Sequence, residues 1–343
     1  MNPIMYFIIL SSVATGTIIT MSSYHWLLAW IGLELNTLAI IPIIAKQHHP
    51  RATEATTKYF LTQAAASAMI LFASTTNAWL TGTWDISQLT NPTSCTMLTL
   101  ALSMKLGLAP LHFWLPEVLQ GTPMKTALII ATWQKLAPMA LFFLTHNSIN
   151  PTIMLTMALL STLTGGWGGL NQTQTRKILA FSSIAHLGWM ASIITLNPNI
   201  LLLNLFLYIL MTTPMFLLFK ITTSKTIKDL TTTWTTTPQT TILMMLLLMS
   251  LGGLPPLTGF MPKWLILQEL TTHNLTTTAT IMAMSALISL FFYLRLSYVT
   301  ALTMYPTTTK TPNKWRFQPK HSTTPITTLS TLSILLLPMT PML

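Results

Sequence analysis

GLAPLHFWLP at residues 107–116 returns as GLPPLTGFMP at residues 253–262, with five of the ten positions identical and an offset of 146 residues. Each copy places glycine and proline inside a long apolar stretch. Proline removes a backbone hydrogen bond and clashes with the preceding helical turn, so each copy predicts a helix that is interrupted part-way. An ordinary proline kink tolerated for packing is the alternative, but two matched copies favour a functional break.

The composition around these copies indicates an all-α polytopic membrane protein. Of the 343 residues, 51% are hydrophobic and only 7% are charged, whereas a soluble domain carries about 25% charged residues. A membrane-spanning helix needs about 20 apolar residues. The chain therefore has room for about ten to twelve spans joined by short loops, and none for a large soluble domain.

We predict eleven spans, so that the two termini lie on opposite sides of the membrane. Their approximate ranges are 3–22, 25–45, 57–80, 96–118, 125–145, 150–170, 176–196, 199–220, 240–269, 275–299 and 323–342. On this count the two copies fall on helices 4 and 9, an odd step of five, and cross the membrane in opposite senses. This predicts inverted five-helix repeats at 1–145 and 146–301, each with one discontinuous helix, followed by a basic loop and an extra helix at 302–343.

The loop charges give the orientation. Every basic residue placed in a loop falls in an even-numbered loop: Lys46, Arg51, Lys58, Lys125, Arg176, Lys177, Lys220, Lys225, Lys228, Lys310, Lys314, Arg316 and Lys320. Basic loops stay on the cytoplasmic or matrix side of a membrane. This rule predicts that the N-terminus and all even-numbered loops lie on that side. The formal net charge of +11 thus reflects membrane orientation and does not predict a nucleic-acid partner.

A few charges remain inside the predicted spans. They are Glu34, Lys105, Lys135, Lys263 and Arg295. A charge at the centre of a membrane helix costs about 2.5–3.5 kcal/mol on insertion scales, so such residues face the protein interior and are usually functional. Arg295 is interpreted as structural, because it lies about one turn from the basic end of its helix and can extend to the interface.

Glu34 alone cannot neutralise Lys105, Lys135 and Lys263. The excess of buried ammonium groups predicts lysines that gain and lose protons, and the making or breaking of a Glu-Lys pair could switch them. The alternative is a static ion pair or polar contact that holds helices together. His112, beside the first break, and His186, in SSIAHLG, are candidates for the same relay or for ordinary hydrogen bonds between helices.

Other chemistries lack support in the sequence. There is no dinucleotide-binding G-x-G-x-x-G, no P-loop and no H-E-x-x-H. The single cysteine, Cys95, cannot form an intrachain disulfide or an iron-sulfur site, and it is interpreted as a buried apolar residue. We therefore expect no metal site and no cofactor-binding residue in this chain.

Five segments together carry a family resemblance. They are WLLAWIGLELNTLAIIPI, SMKLGLAPLHFWLPE, WQKLAP, SSIAHLG and LGGLPPLTGFMPKW. Across nearly its whole length the chain resembles the chain 2 subunits of mitochondrial NADH-ubiquinone oxidoreductase, respiratory complex I. The proline pattern alone is shared with the related chains 4 and 5 and with multisubunit sodium/proton antiporters. The Met- and Thr-rich composition is similar to that of organelle-encoded proteins.

This resemblance implies an antiporter-like subunit of a proton-pumping translocase in the mitochondrial inner membrane. Its N-terminus would lie in the matrix and its C-terminus in the intermembrane space. Membrane-arm subunits on both sides, and phospholipids, would be its partners; NADH, flavin, iron-sulfur clusters and ubiquinone would be bound by other subunits. Glu34 would pair with and modulate Lys105, Lys135 would bridge two half-channels, and Lys263 would be the exit-side carrier. A stand-alone or Mrp-like cation/proton antiporter and an inert membrane scaffold are the competing hypotheses.

Overall fold

Helices form nearly all the regular structure of the computed structural model, which describes residues 3–302 and 323–338. Sixteen α-helices lie in these ranges: α1 Pro3–Ser22, α2 Trp26–Ile44, α3 Pro50–Thr81, α4 Pro92–Leu106, α5 Trp114–Gly121, α6 Met124–Ala131, α7 Leu136–Leu144, α8 Pro151–Leu170, α9 Thr175–Ile193, α10 Pro198–Ile221, α11 Ile227–Thr231, α12 Thr233–Thr236, α13 Pro238–Gly252, α14 Phe260–Thr272, α15 Thr276–Ala301 and α16 Thr324–Leu335. The prediction of an all-helical protein is confirmed.

Six helical stretches among the described residues are long and apolar enough to cross a membrane, one of which joins α6 and α7 through a short 3₁₀ turn. They are Pro3–Ser22, Trp26–Ile44, Met124–Leu144, Pro151–Leu170, Pro198–Ile221 and Thr276–Ala301. Helix also occupies the other predicted stretches, but there it is shorter or more polar. Eleven crossings stay a prediction. The basic residues Lys310, Lys314, Arg316 and Lys320 lie outside the described residues.

The chain divides into two compact units. The first consists of Met1–Ser161 with Met190–Pro198, and the second of Thr162–Trp189 with Asn199–Leu343. In the first unit α2 packs against α1 and α3, and α3 also packs against α4 and α5. In the second unit α13 packs against α15 and α16, and α14 packs against α15. The repeat bounds at 145/146 and 301/302 remain predictions.

Local sequence signals set the helix ends. Asn91 caps α4 through its side-chain oxygen, and proline occupies the first helical position of α3, α4 and α13, where no backbone donor is needed. His49 accepts a hydrogen bond from Arg51 N at 3.2 Å, so α3 begins at Pro50, well before the predicted residue 57. The helix therefore extends seven residues beyond the start of the predicted span, because hydropathy does not register this cap.

Many of the threonines and serines are compatible with an apolar environment because their hydroxyls donate hydrogen bonds within their own helices. Exposed Thr75 donates to Phe72 O at 2.9 Å, and Thr280 donates to Thr277 O at 2.8 Å. Such bonds to the carbonyl three or four residues earlier leave no free donor. A threonine-rich helix can therefore face lipid at little cost.

Glycines on α8 allow close packing in the second unit. A Cβ on Gly165 would lie 2.6 Å from Ala185 N, and one on Gly169 would lie 2.8 Å from the Phe292 ring. Arg295 of α15 donates to Leu170 O at 2.7 Å and so caps the last turn of α8. Its guanidinium has a local structural partner, as its position near a helix end suggested.

The contact between α1 and α2 depends on two facing glycines, which gives a first prediction. A Cβ on Gly32 would lie 2.6 Å from Thr20 Cγ2 and 2.9 Å from Gly16 O. We expect Gly32→Val to separate the helices and to lower stability by about 1–3 kcal/mol, as overpacking does. Thermal stability and the yield of assembled protein are the measurements. Thr15→Val, at an exposed site on α1, is the control; equal stability of the two variants would contradict the packing assignment.

Candidate functional site

The first copy of the repeated pattern lies where α4 ends and the chain turns before α5. Gly107 adopts a left-handed conformation with φ +81°, and its N–H and that of Leu108 both donate to Ser103 O, at 2.9 and 3.0 Å. This is the usual glycine-terminated end of a helix. Near this end of α4 a side chain supplies a further donor: Trp114 Nε1 donates to Met104 O at 3.1 Å.

The second copy begins where α13 ends, and the end of α13 is capped by a lysine side chain. Gly253 has φ +79°, and its N–H donates to Ser250 O at 2.9 Å. Lys263, in the first turn of α14, donates from Nζ to Gly252 O at 2.8 Å. An ammonium at the C-terminal end of a helix is favoured by both the free carbonyls and the helix dipole. Lys263 thus links the first turn of α14 to the end of α13.

Lys105 and Lys135 line one small cavity in the first unit. Lys105 is 6% exposed and Lys135 is 3% exposed. The cavity has a volume of about 10 Å³, on a scale where a single water needs about 10–15 Å³. Its lining is Leu33, Asn36, Thr37, Tyr59, Gln63, Lys105, Leu106, Trp114, Leu115, Ile130, Gln134, Lys135 and Pro138. Two residues predicted to carry protons therefore line the same small cavity.

Glu34 and Lys105 do not form a direct ion pair. No Glu34 oxygen lies within 4.0 Å of Lys105 Nζ, and both Glu34 Oε2 and Lys105 Nζ are buried without a hydrogen-bond partner among the described residues. The direct contact between Glu34 and Lys105 that the family resemblance implies is therefore absent. Modulation of Lys105 by Glu34 through space stays a prediction.

A neutral polar network surrounds the two lysines, and the sequence analysis missed it. Gln134 Nε2 donates to Asn36 Oδ1 at 2.7 Å, and Tyr59 OH donates to Gln134 Oε1 at 3.4 Å. Gln63 Nε2 donates to Lys105 O at 3.5 Å. The sequence signal for this network is an amide or phenol side chain inside an apolar span, because such a group needs a hydrogen-bond partner on a neighbouring helix.

The two histidines have different environments. His112, just after the first break, is 7% exposed, and its Nδ1 is buried with no partner in the described part of the chain. His186 Nε2 on α9 lies 3.5 Å from Tyr293 OH, and the His186 ring is tilted by 48° against the Tyr208 ring, with centroids 5.5 Å apart. Lys263 Nζ lies 6.0 Å from the ring of Trp189, which is also on α9. The second unit therefore has its own cluster of buried polar groups.

Glu54, Lys58 and Glu117 form an exposed cluster away from the buried groups. Lys58 Nζ lies 2.5 Å from both Glu54 Oε1 and Glu117 Oε2. Ion pairs with this degree of exposure contribute little to stability. No group of three or more His, Cys, Asp or Glu side chains within residues 3–302 and 323–338 is arranged to hold a metal ion.

Comparison with known sequences shows the family. Residues 23–289 match the family described as NADH:quinone oxidoreductase/Mrp antiporter, TM, and residues 290–343 match NADH dehydrogenase subunit 2 C-terminus. NADH-ubiquinone oxidoreductase chain 2 of Salmo salar is 60% identical over 341 residues, covering 99% of this chain and 98% of the relative. That of Varanus timorensis is 61% identical over 343 residues, covering 100% and 99%. This chain belongs to the NADH-ubiquinone oxidoreductase chain 2 family.

Chains of solved membrane complexes share the fold of this chain. A chain of respiratory complex I from Thermus thermophilus matches with a TM-score of 0.88 and 26% identity, covering 98% of this chain and 78% of its own length. A chain of the Mrp complex from Dietzia sp. DQ12-45-1b shares the fold, with a TM-score of 0.75 and 17% identity over 88% of this chain and 62% of that one. The family resemblance inferred from the sequence is confirmed.

The close contact between Gly253 and the Lys263 side chain gives a second prediction. A Cβ at Gly253 would lie 2.8 Å from Lys263 Nζ, whereas a Cβ at Gly82 would meet nothing within 4 Å, although Gly82 has a similar φ of +72°. Both alanine variants carry the left-handed strain of about 1–2 kcal/mol. We expect only Gly253→Ala to lower NADH-driven proton translocation per assembled complex. Equal translocation in the two variants would show that the Lys263 contact is dispensable.

Proposed function

We propose that this chain is a proton-translocating, antiporter-like subunit of the membrane arm of NADH:ubiquinone oxidoreductase. In this proposal buried Glu and Lys side chains relay protons from the matrix to the intermembrane space. The observation that carries the proposal is the single cavity shared by Lys105 and Lys135, in which Lys105 Nζ has no hydrogen-bond partner among the described residues. An ammonium that lacks a fixed partner is suited to exchange a proton with a water molecule or a neighbouring base.

Each relay residue has a role in the proposal. Glu34 modulates Lys105 through space, Lys135 receives the proton across the cavity, and Lys263 carries it toward the exit. His112 and His186 serve as secondary carriers. Two charges in contact at 4 Å interact by about 4 kcal/mol at an effective dielectric of 20. Moving one charge against 100 mV requires about 2.3 kcal/mol, so a movement that brought Glu34 into direct contact with Lys105 would supply coupling of sufficient size.

The architecture proposed with this function has eleven crossings in two inverted repeats and an extra C-terminal helix. The helix ends at Gly107 and Gly253, each followed within ten residues by another helix, support it, because discontinuous helices in repeat-built transporters surround the transported ion. We further propose a matrix N-terminus, neighbouring membrane-arm subunits on both sides, bound phospholipids and cofactors carried by other subunits. Large exposed apolar side chains such as Phe7, Trp79 and Phe206 suit contact with lipid or such neighbours.

Replacing the relay lysines tests the function directly. We expect Lys105→Ala or Lys263→Ala in the assembled complex to suppress coupled proton translocation, since removing a proton carrier slows transfer by about 10²–10⁴-fold. The measurement is the number of protons moved per NADH oxidised in reconstituted vesicles. Exposed Lys125→Ala is the control and should pump normally. Full pumping by both buried-site variants, with normal assembly, would point to a scaffold instead.

The Mrp-like fold makes an independent antiporter the competing function. Purified alone and placed in vesicles with a sodium gradient, such an antiporter would exchange sodium for protons. We expect no sodium-dependent proton movement from the isolated chain, and co-purification with flavin- and iron-sulfur-containing subunits from the native membrane. The test measures internal pH with a fluorescent dye. Exchange that Lys263→Ala abolishes would contradict the assignment to the redox-driven complex.

A further inference from the structure

Two neutral side chains of α3 contact the segments that carry the cavity lysines. Tyr59 is 2% exposed and Gln63 is 4% exposed. They are four residues apart and therefore share one face of the helix, one turn above the other. Both line the cavity. We call Tyr59 and Gln63 the α3 pair.

Gln63 fixes the end of the helix that bears Lys105. In an unbroken helix Lys105 O would accept a bond from the N–H four residues later, but α4 ends at Leu106 and this bond is lost. Gln63 Nε2 donates to that carbonyl at 3.5 Å. The Gln63 amide therefore hydrogen-bonds to the backbone of Lys105 and makes no bond with the ammonium group of the same residue.

Tyr59 fixes the turn that bears Lys135. Its OH donates to Gln134 Oε1 at 3.4 Å, and Gln134 Nε2 donates to Asn36 Oδ1 at 2.7 Å. The Gln134 amide is held at both ends and precedes Lys135 in a short 3₁₀ turn, Trp133–Lys135. These two bonds therefore anchor the residue directly before Lys135 to α2 and α3.

We propose that the α3 pair are positioning residues, which hold Lys105 and Lys135 in register across their shared cavity so that a proton can pass between them. Neutral donors suit this role, because an acid at either position would form an ion pair with a lysine and hold its proton. The inference rests on the proposed function, since it assigns residues that support the same relay. Neither Tyr59 nor Gln63 has to carry a proton itself.

The titratable groups around the cavity limit what a pH profile can report. Lys105 from α4, Lys135 from the 3₁₀ turn and Tyr59 from α3 line it, and Glu34 from α2 is predicted to act on Lys105. Gln63→Met changes none of these groups. Tyr59→Phe removes one of them together with its hydrogen bond. The glutamine variant therefore gives the cleaner test.

The experiment compares Gln63→Met and Tyr59→Phe with the matched exposed variants Gln88→Met and Tyr24→Phe. Each is assembled in the intact complex, and protons moved per NADH oxidised are measured from pH 6 to 9. Loss of a hydrogen bond of ordinary net strength changes an equilibrium about twofold to tenfold, or about 0.3 to 1 pH unit. We expect both buried variants to lower the ratio and to shift its pH midpoint by that amount, with no shift in the controls.

Each outcome supports or overturns the inference. A lower yield of complex with an unchanged ratio and midpoint would assign the α3 pair a structural role only. Lys105→Ala is measured in parallel to separate the two hypotheses. If Lys105→Ala stops pumping while Gln63→Met and Tyr59→Phe leave it unchanged, the inference fails and the proposed function stands. If Lys105→Ala pumps fully, the proposed function itself fails.

Discussion

Every backbone carbonyl freed by a helix break in an apolar interior must find a hydrogen-bond donor, because an unsatisfied polar group there costs several kcal/mol. The two breaks in this chain meet that requirement with different chemistry. Trp114 and Gln63 supply neutral donors to the end of α4. At the end of α13 the donor is the ammonium of Lys263. The choice of donor decides which lysine is held in place and which is not.

The two helix ends have different hydrogen-bond donors because the residues that flank the two copies of the repeated pattern differ. The residue directly after each copy is Glu117 in the first and Lys263 in the second. Glu117 pairs with exposed Lys58, so it supplies no charge to the first break. The position that corresponds to Lys105 in the second copy is Leu251, which is fully buried. Each break therefore has one buried lysine nearby, placed before the break in α4 and after it in α14.

The sequence predicted the features that depend on local chemistry. Glycine and proline spacing located both helix ends at Gly107 and Gly253, and hydropathy located the helices. It could not predict contacts that depend on how helices pack. The Gln134 amide reaches Asn36 from 98 positions along the chain, and the lack of direct contact between Glu34 and Lys105 depends on distances that only packing sets. A charged residue inside an apolar span is recognised from sequence because its burial costs free energy, whereas a neutral amide there cannot be told from an ordinary packing residue.

The cap formed by Lys263 links charge to helix geometry. An ammonium at a helix C-terminus contributes about 0.3–1 kcal/mol, and up to about 2 kcal/mol where it is partly buried, through the helix dipole. Loss of that charge weakens the contact between α13 and α14 by the same amount, and by reciprocity any movement that separates them changes the affinity of Lys263 for its proton. The first break has no such link, because its caps are neutral. In the proposed relay, a conformational change would therefore act on the proton of Lys263 at the end of α13, whereas Lys105 at the end of α4 has no such coupling to the helix geometry.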